Sequence, residues 1–215
     1  MPSVSNDARG LAMVARLRRT GTASALFTGL VVSFLLHGCA AVVVAGVAVG
    51  AAVVHDRRSS ATVLADDMIE IQAMNLLHEH PDIAGRSNIS INSYNLVALL
   101  TGQAESAEIA DRFADRVARL PKVEKVVNEV AIGPSAGLTE ASHDLYLASR
   151  CKLAIADVNI PGFDPLRVQA VSSSGKVYLR GLVTSEEAAA AVEQVRYVPG
   201  VKQVVKLFEY IQKPA

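Results

Sequence analysis

Two thiols and a pair of histidines are the residues whose types could do chemistry in this chain, and their surroundings decide which chemistry. Cys39 and Cys151 are its two cysteines. Neither belongs to a CxxC pair or to a Cys/His set with zinc-ligand spacing, so neither a redox dithiol nor a structural zinc site is indicated. His78-Glu79-His80 offers two imidazoles, but Pro81 follows at once and the motif reads as a solvated helix end. No Ser/His/Asp order, phosphate loop or paired-carboxylate set stands out, so no catalytic residue, metal ligand or cofactor is expected. Lys and Arg total 21 and so do Asp and Glu; that balance argues against a dedicated nucleic-acid binder, which needs a basic surface. Cys151 falls within a helical pattern, where a thiol acts as a small core residue. Cys39 sits at the end of an apolar run, and that position gives it another role.

Arg16, Arg18 and Arg19 precede an apolar stretch over residues 22–36, which leads into Leu36-His37-Gly38-Cys39. A basic region, an apolar region of suitable length and a small residue before the cut are the parts of an export signal. The segment Leu35-Leu36-His37-Gly38-Cys39 resembles a lipobox: Leu36 and Gly38 fit, whereas His37 stands where a small or neutral residue is usual. The resemblance implies that residues 1–38 are removed as a signal peptide and that Cys39 carries the lipid. One acyl chain anchors marginally, and the three of a mature lipoprotein anchor stably. Ala40, rather than Asp, after the cysteine implies sorting to the outer membrane. Counted from Met1 the leader is long, and a start at Met13 would give a more ordinary one. The alternative is an uncleaved anchor, because residues 23–54 are almost uninterruptedly apolar and long enough to span a bilayer. Residues 39–63 are expected as the tether, returning to water at His55-Asp56-Arg57-Arg58-Ser59-Ser60.

Beyond residue 60 the chain repeats itself. Asn88-Ile89-Ser90-Ile91, a turn at Ser93-Tyr94-Asn95 and a run to Gly102 match Arg167–Val171, Ser173-Ser174-Gly175 and a run to Gly181. Each is a β-hairpin pattern whose second strand ends in glycine. Those glycines are expected to be structural, at positions where backbone geometry or packing excludes a side chain. A helix follows in each copy, over 105–120 and 184–198, stopping at Pro121 and Pro199. The segments 123–127 and 201–205 then close each copy with a strand, and helices over 66–80 and 139–157 precede the hairpins. The predicted architecture is α+β: two tandem modules, each α-β-β-α-β, with a three-stranded sheet carrying two helices on one face. The modules are placed at 64–132 and 139–212, with 133–138 as linker.

The Leu-x-Gly strand end and the Pro-x-Val-x-x-Val-x-Asn segment from Pro121 to Asn128 resemble the BON domain. With the lipobox, the Val/Ala/Gly tether, Asp56-Arg57-Arg58-Ser59, residues 140–144 and residues 181–184, the chain is similar to the dual-BON-domain outer-membrane lipoproteins of Gram-negative bacteria. The resemblance runs from the apolar leader to about Ile211. It implies a non-enzymatic, lipid-anchored protein on the periplasmic face of the outer membrane. Such proteins bind anionic phospholipid through the second BON domain, associate with division sites and support envelope integrity. It further implies that the first helix of the second module makes the lipid contact. An aromatic stands there at Tyr146, where Trp is usual. Soluble BON relatives suggest another role, periplasmic stress protection or holdase activity, and docking onto another envelope protein is a third.

On a helical wheel, Ala141, Leu145, Ala148, Cys151 and Ile155 are expected to face the core, with His143, Tyr146, Arg150 and Leu153, flanked by Leu147, forming the phospholipid-binding stripe. An aromatic, apolar residues and a cation on one exposed stripe suit a membrane surface. Charge points the same way. Residues 66–132 hold 6 basic and 11 acidic side chains, net −5, and residues 139–213 hold 9 and 8, net +1. An anionic leaflet therefore repels the first module more.

Overall fold

The computed structural model describes residues 56–134 and 137–212. The expectations for the leader, the lipobox (Leu36, His37, Gly38), Cys39 and the apolar part of the tether lie outside the described residues.

Helix α1 spans Ser60–His78, and its first turn is closed by the Ser59 hydroxyl, which accepts from the Thr62 amide at 3.0 Å. Residues 60–63, expected to end the tether, are thus already helix. Pro81 starts the short helix α2 (Pro81–Ala84), having cost α1 its continuation. Strands β1 (Ser87–Tyr94) and β2 (Val97–Ala104) pair antiparallel, with Tyr94 opposite Val97. The two turn residues, Asn95 (φ 49°) and Leu96 (φ 66°), both take left-handed backbone, the geometry of the tight hairpin turn that matches strand twist. A leucine is strained at such a φ. Helix α3 (Ala107–Val117) crosses back so that the third strand lies parallel to β2. That strand is broken into β3 (Lys125–Asn128) and β4 (Ala131–Ile132), both paired with β2. At the break, the Asn128 side chain accepts from the Val130 amide and donates to Asp111.

The second module repeats the plan with α4 (Leu138–Ala156), a 3-10 turn at Pro165–Arg167, β5 (Gln169–Ser173), β6 (Lys176–Val183), α5 (Ser185–Arg196) and β7 (Gln203–Tyr210). The sheet order is β5-β6-β7, with β6 and β7 parallel and β7 unbroken. The fold is α+β, as the pattern of the sequence indicates, apart from the interrupted third strand of the first copy. The two hairpin-ending glycines have the same physical reason. A Cβ on Gly102, at φ +107°, would collide with the Asn88 carbonyl oxygen, and one on Gly181 with that of Arg167.

Strand residues alternate between faces, and the alternation gives each sheet two distinct surfaces. Ala98, Leu100 and Ala104 of β2 pack with Ile69, Ile109, Phe113 and Val117 under the helices, and Val177, Leu179 and Val183 of β6 do so with Leu147, Cys151 and Val195. The intervening residues, Leu99, Thr101 and Gln103 on β2 and Tyr178 and Arg180 on β6, are also buried, although no helix covers that face. They are buried because the two helix-free faces meet. Across this junction the Leu182 amide donates to the Tyr94 hydroxyl (3.2 Å), Arg180 to the Asn92 carbonyl (2.9 Å), Gln103 to Ser174 (3.0 Å) and Asn95 to Glu209 (2.7 Å). The Tyr178 hydroxyl donates to Glu129 at 3.3 Å, and burial next to that carboxylate pushes the phenol pKa up.

Candidate functional site

The rotation of the first helix in each module is fixed by one carboxylate. Asp66 of α1, 2 % exposed, accepts from the Ser93 hydroxyl and from the backbone amides of Asn95 and Leu96, each at 2.7–2.8 Å. Those amides belong to the left-handed turn, so Asp66 is what holds Leu96 in its strained φ. Asp144 of α4 does the same for the second hairpin, accepting from Ser172 (3.2 Å) and from the Ser174 amide (2.9 Å). With Asp144 turned to the sheet, the residues sharing its side of the helix are Leu147, Cys151 and Ile155, which are 1 %, 0 % and 1 % exposed. Burial pushes the Cys151 thiol up to about 11, so at neutral pH it stays protonated and unreactive.

This rotation corrects two sequence expectations. Leu147, placed beside the phospholipid stripe, is a core residue. Leu145, placed in the core, is 72 % exposed, and Ala141 is exposed with it. The wheel failed because α4 has leucine or alanine on nearly every side, and the polar Asp144, not hydrophobicity, sets which side faces in. His143, Tyr146, Arg150 and Leu153 are exposed as a group, Tyr146 at 61 % and Leu153 at 64 %. With Leu145 and Lys152, which also border a groove between α4 and β1 of the first module, they give the exposed part of α4 three large apolar side chains, two cations and an imidazole. Among the described residues no helix is long and apolar enough to cross a membrane. A surface of this composition can lie on a bilayer, its apolar tips among the acyl chains and its cations at the headgroups.

The outer side of α1 shows what sequence reasoning missed. Read from the sequence it is acidic, yet Asp66 is turned inward and Glu70 accepts from the Ser93 amide at 2.7 Å. Burial raises the Glu70 carboxyl. Beside the exposed Asp67, α1 presents to solvent Leu64, Met68, Ile71 and Met74, between 45 % and 63 % exposed. The spacing of those four residues was the available signal, hidden by the neighbouring carboxylates. His78 and His80 do not converge on one site: the His78 ring bonds the Met74 carbonyl and His80 lies 4.0 Å from Asp82. Among the described residues no group of three or more His, Cys, Asp or Glu is placed to hold a metal.

A third cluster joins the modules to the incoming chain. Arg57 donates to the Leu182 carbonyl (2.8 Å) and to both carboxylate oxygens of Glu187 (2.7 and 3.0 Å) in the second module. Arg58 pairs with Asp66 at 2.6 Å and stacks over the Tyr94 ring at 3.9 Å in the first. Burial works to raise the Glu187 carboxyl, but hydrogen bonds from Arg57 and the Thr184 amide outweigh it and hold it below the usual range.

Two α-β-β-α-β units, each with a glycine-ended hairpin and a parallel third strand, define the class, and the family model for the BON domain matches residues 65–134 and 143–212. The chain belongs to the BON-domain family, as a protein with two such domains. It is 30% identical over 180 residues to the outer membrane lipoprotein DolP of Haemophilus influenzae, covering 83% of this chain and 92% of that protein. It is 28% identical over 160 residues to the 21 kDa hemolysin of Actinobacillus pleuropneumoniae, covering 73% and 80%. A solved structure of CdsD, a structural protein of the type III secretion system of Chlamydia trachomatis, aligns with 15% identity and a TM-score of 0.24 over 64% of this chain and 92% of that one.

Proposed function

We propose that this chain is a non-enzymatic lipoprotein of the outer membrane. In this reading it is anchored through lipid on Cys39 at the periplasmic face, binds anionic phospholipid through the outer side of α4 and supports envelope integrity at division sites. The likeness to the Haemophilus influenzae lipoprotein supports the envelope location. The observation that carries the lipid contact is the exposure of Leu145, Tyr146 and Leu153 on the same helix as Arg150 and Lys152. Buried apolar tips supply adhesion and each cation near an anionic surface adds on the order of 1 kcal/mol. Anchor and helix act together, since a surface held close by a covalent tether binds at a high effective concentration.

Titrating residues 56–215 with phosphatidylglycerol micelles and following amide NMR shifts tests the contact. Shifts should centre on residues 143–153, and Tyr146→Ala with Arg150→Glu should remove them while the folded spectrum persists. Unchanged lipid-induced shifts in that variant would refute the assignment. For the anchor, labelled palmitate should enter the protein in cells and fail to do so in Cys39→Ala; an unlabelled parent protein sinks it. A second reading, docking onto another envelope protein, draws on the apolar outer side of α1, whose two methionines suit an adaptable protein contact.

A further inference from the structure

The helix-free faces of the two sheets do not close completely. A groove of about 430 Å³ opens at their junction, between β2 and β3 of the first module and β6 and β7 of the second. Its apolar wall is formed by Leu99, Val127, Leu207 and Phe208, and three cations, Arg180, Lys125 and Lys206, line it against two carboxylates, Glu124 and Glu209. Arg180 is 5 % exposed, yet its guanidinium makes one hydrogen bond, to the Asn92 carbonyl, and its Nε is buried without an acceptor. A buried guanidinium with donors unfilled is costly.

None of the nearby acids hydrogen-bonds the Arg180 guanidinium. Glu70 and Asp66 favour its charge through space while their oxygens hold the Ser93 amide, the hairpin turn and Arg58, Glu209 accepts from Asn95, and Glu124 lies exposed at the rim. Burial lowers the Arg180 pKa to about 10, which leaves it charged at neutral pH. The groove therefore joins an under-satisfied buried cation and two rim lysines to an apolar trough, at a volume typical of small-molecule sites.

We propose that this groove binds a single-chain acidic amphiphile. Its head, a carboxylate or a phosphate monoester, pairs with the Arg180 guanidinium between Lys125 and Lys206. Its chain lies along Val127, Leu207 and Phe208. The site is separate from the outer side of α4 and does not depend on the membrane contact assigned there.

Photo-crosslinking tests it. A diazirine-bearing decanoic acid and the matching alkyl phosphate are irradiated with the full chain in neutral phosphatidylcholine nanodiscs, and the labelled peptides are mapped by mass spectrometry. Labelling should fall on the segments holding Val127 and Leu207. Decanoate or decyl phosphate should compete it away, whereas inorganic phosphate and acetate at equal concentration should not. The preferred head group is read from which probe labels more. Arg180→Gln also breaks the bond to Asn92, so the deciding variant is Lys125→Glu with Lys206→Glu, both exposed, which should reduce labelling at least about fivefold. Labelling confined to α4, labelling indifferent to the lysine changes, or equal competition by inorganic phosphate would each overturn the proposal.

Discussion

Helices α1 and α4 are copies of one element, and they differ most on the side turned away from the sheet. Facing inward, Asp66, Ile69 and Ala73 correspond in order to Asp144, Leu147 and Cys151, each pair doing the same work at the hairpin turn or in the core. Facing outward, Met68 corresponds to Tyr146, and the two surfaces diverge from there. The α1 sequence contains no Lys or Arg, whereas α4 carries Arg150 and Lys152 beside its exposed apolar residues. The inward side answers to a sheet and a strained turn, which tolerate little change. The outward side is under no such constraint, and there the two copies have diverged.

The largest test of this comparison acts on the shared side. Asp66→Ala should cost about 2–4 kcal/mol, because it leaves the turn amides and the Ser93 hydroxyl without their acceptor and takes from Arg58 one of its two carboxylates, Asp56 being the other. Asp144→Ala, with no arginine paired to it among the described residues, should cost about 1–3 kcal/mol. Urea unfolding of the two variants compares them, and equal losses would mean the copies share more than rotation. A smaller effect is expected from giving α1 the character of α4. Met68→Tyr with Met74→Lys and Asn75→Leu should create micelle-induced NMR shifts over residues 64–75, strengthening binding to phosphatidylglycerol by about tenfold or less, since each added cation contributes on the order of 1 kcal/mol. If α1 stays silent, composition alone does not make the face. The smallest effect concerns the turns that lead into the third strands, where Lys122 takes φ +67° and its counterpart Gly200 takes φ +99°. Lys122→Gly should relieve this backbone strain and raise the first module's stability by up to about 1 kcal/mol, read as a shift in the thermal midpoint.

The repeat, the hairpins, the glycines and the helix order were legible because each rests on local pattern or steric exclusion. The rotation of α4 was not, since Leu145, Leu147 and Leu153 are chemically interchangeable on a wheel. The repeat itself held the answer: aligning Asp144 with Asp66 also aligns Leu147 with Ile69. The pairing of the two sheets was hidden differently. Tyr178 and Arg180 alternate with Val177 and Leu179 as solvent-facing residues would, and only a second sheet makes that face an interior. The break between β3 and β4 rests on side-chain bonds of Asn128, which no periodicity reports. Of the candidate surface, the aromatic and the cation could be read ahead of the structure, but the contribution of Leu145 could not.

Arg57 and Arg58 are neighbours in the chain but grip different modules, one through Glu187 and Leu182, the other through Asp66 and Tyr94. Mechanically this makes a yoke. A pull arriving along the chain at residue 56 is divided between two sheets before it reaches the first turn of α1, so neither module is peeled from the other by its own leash. Under the lipid anchorage proposed above, thermal tugging would swing both modules as a single load instead of prying open the seam between them.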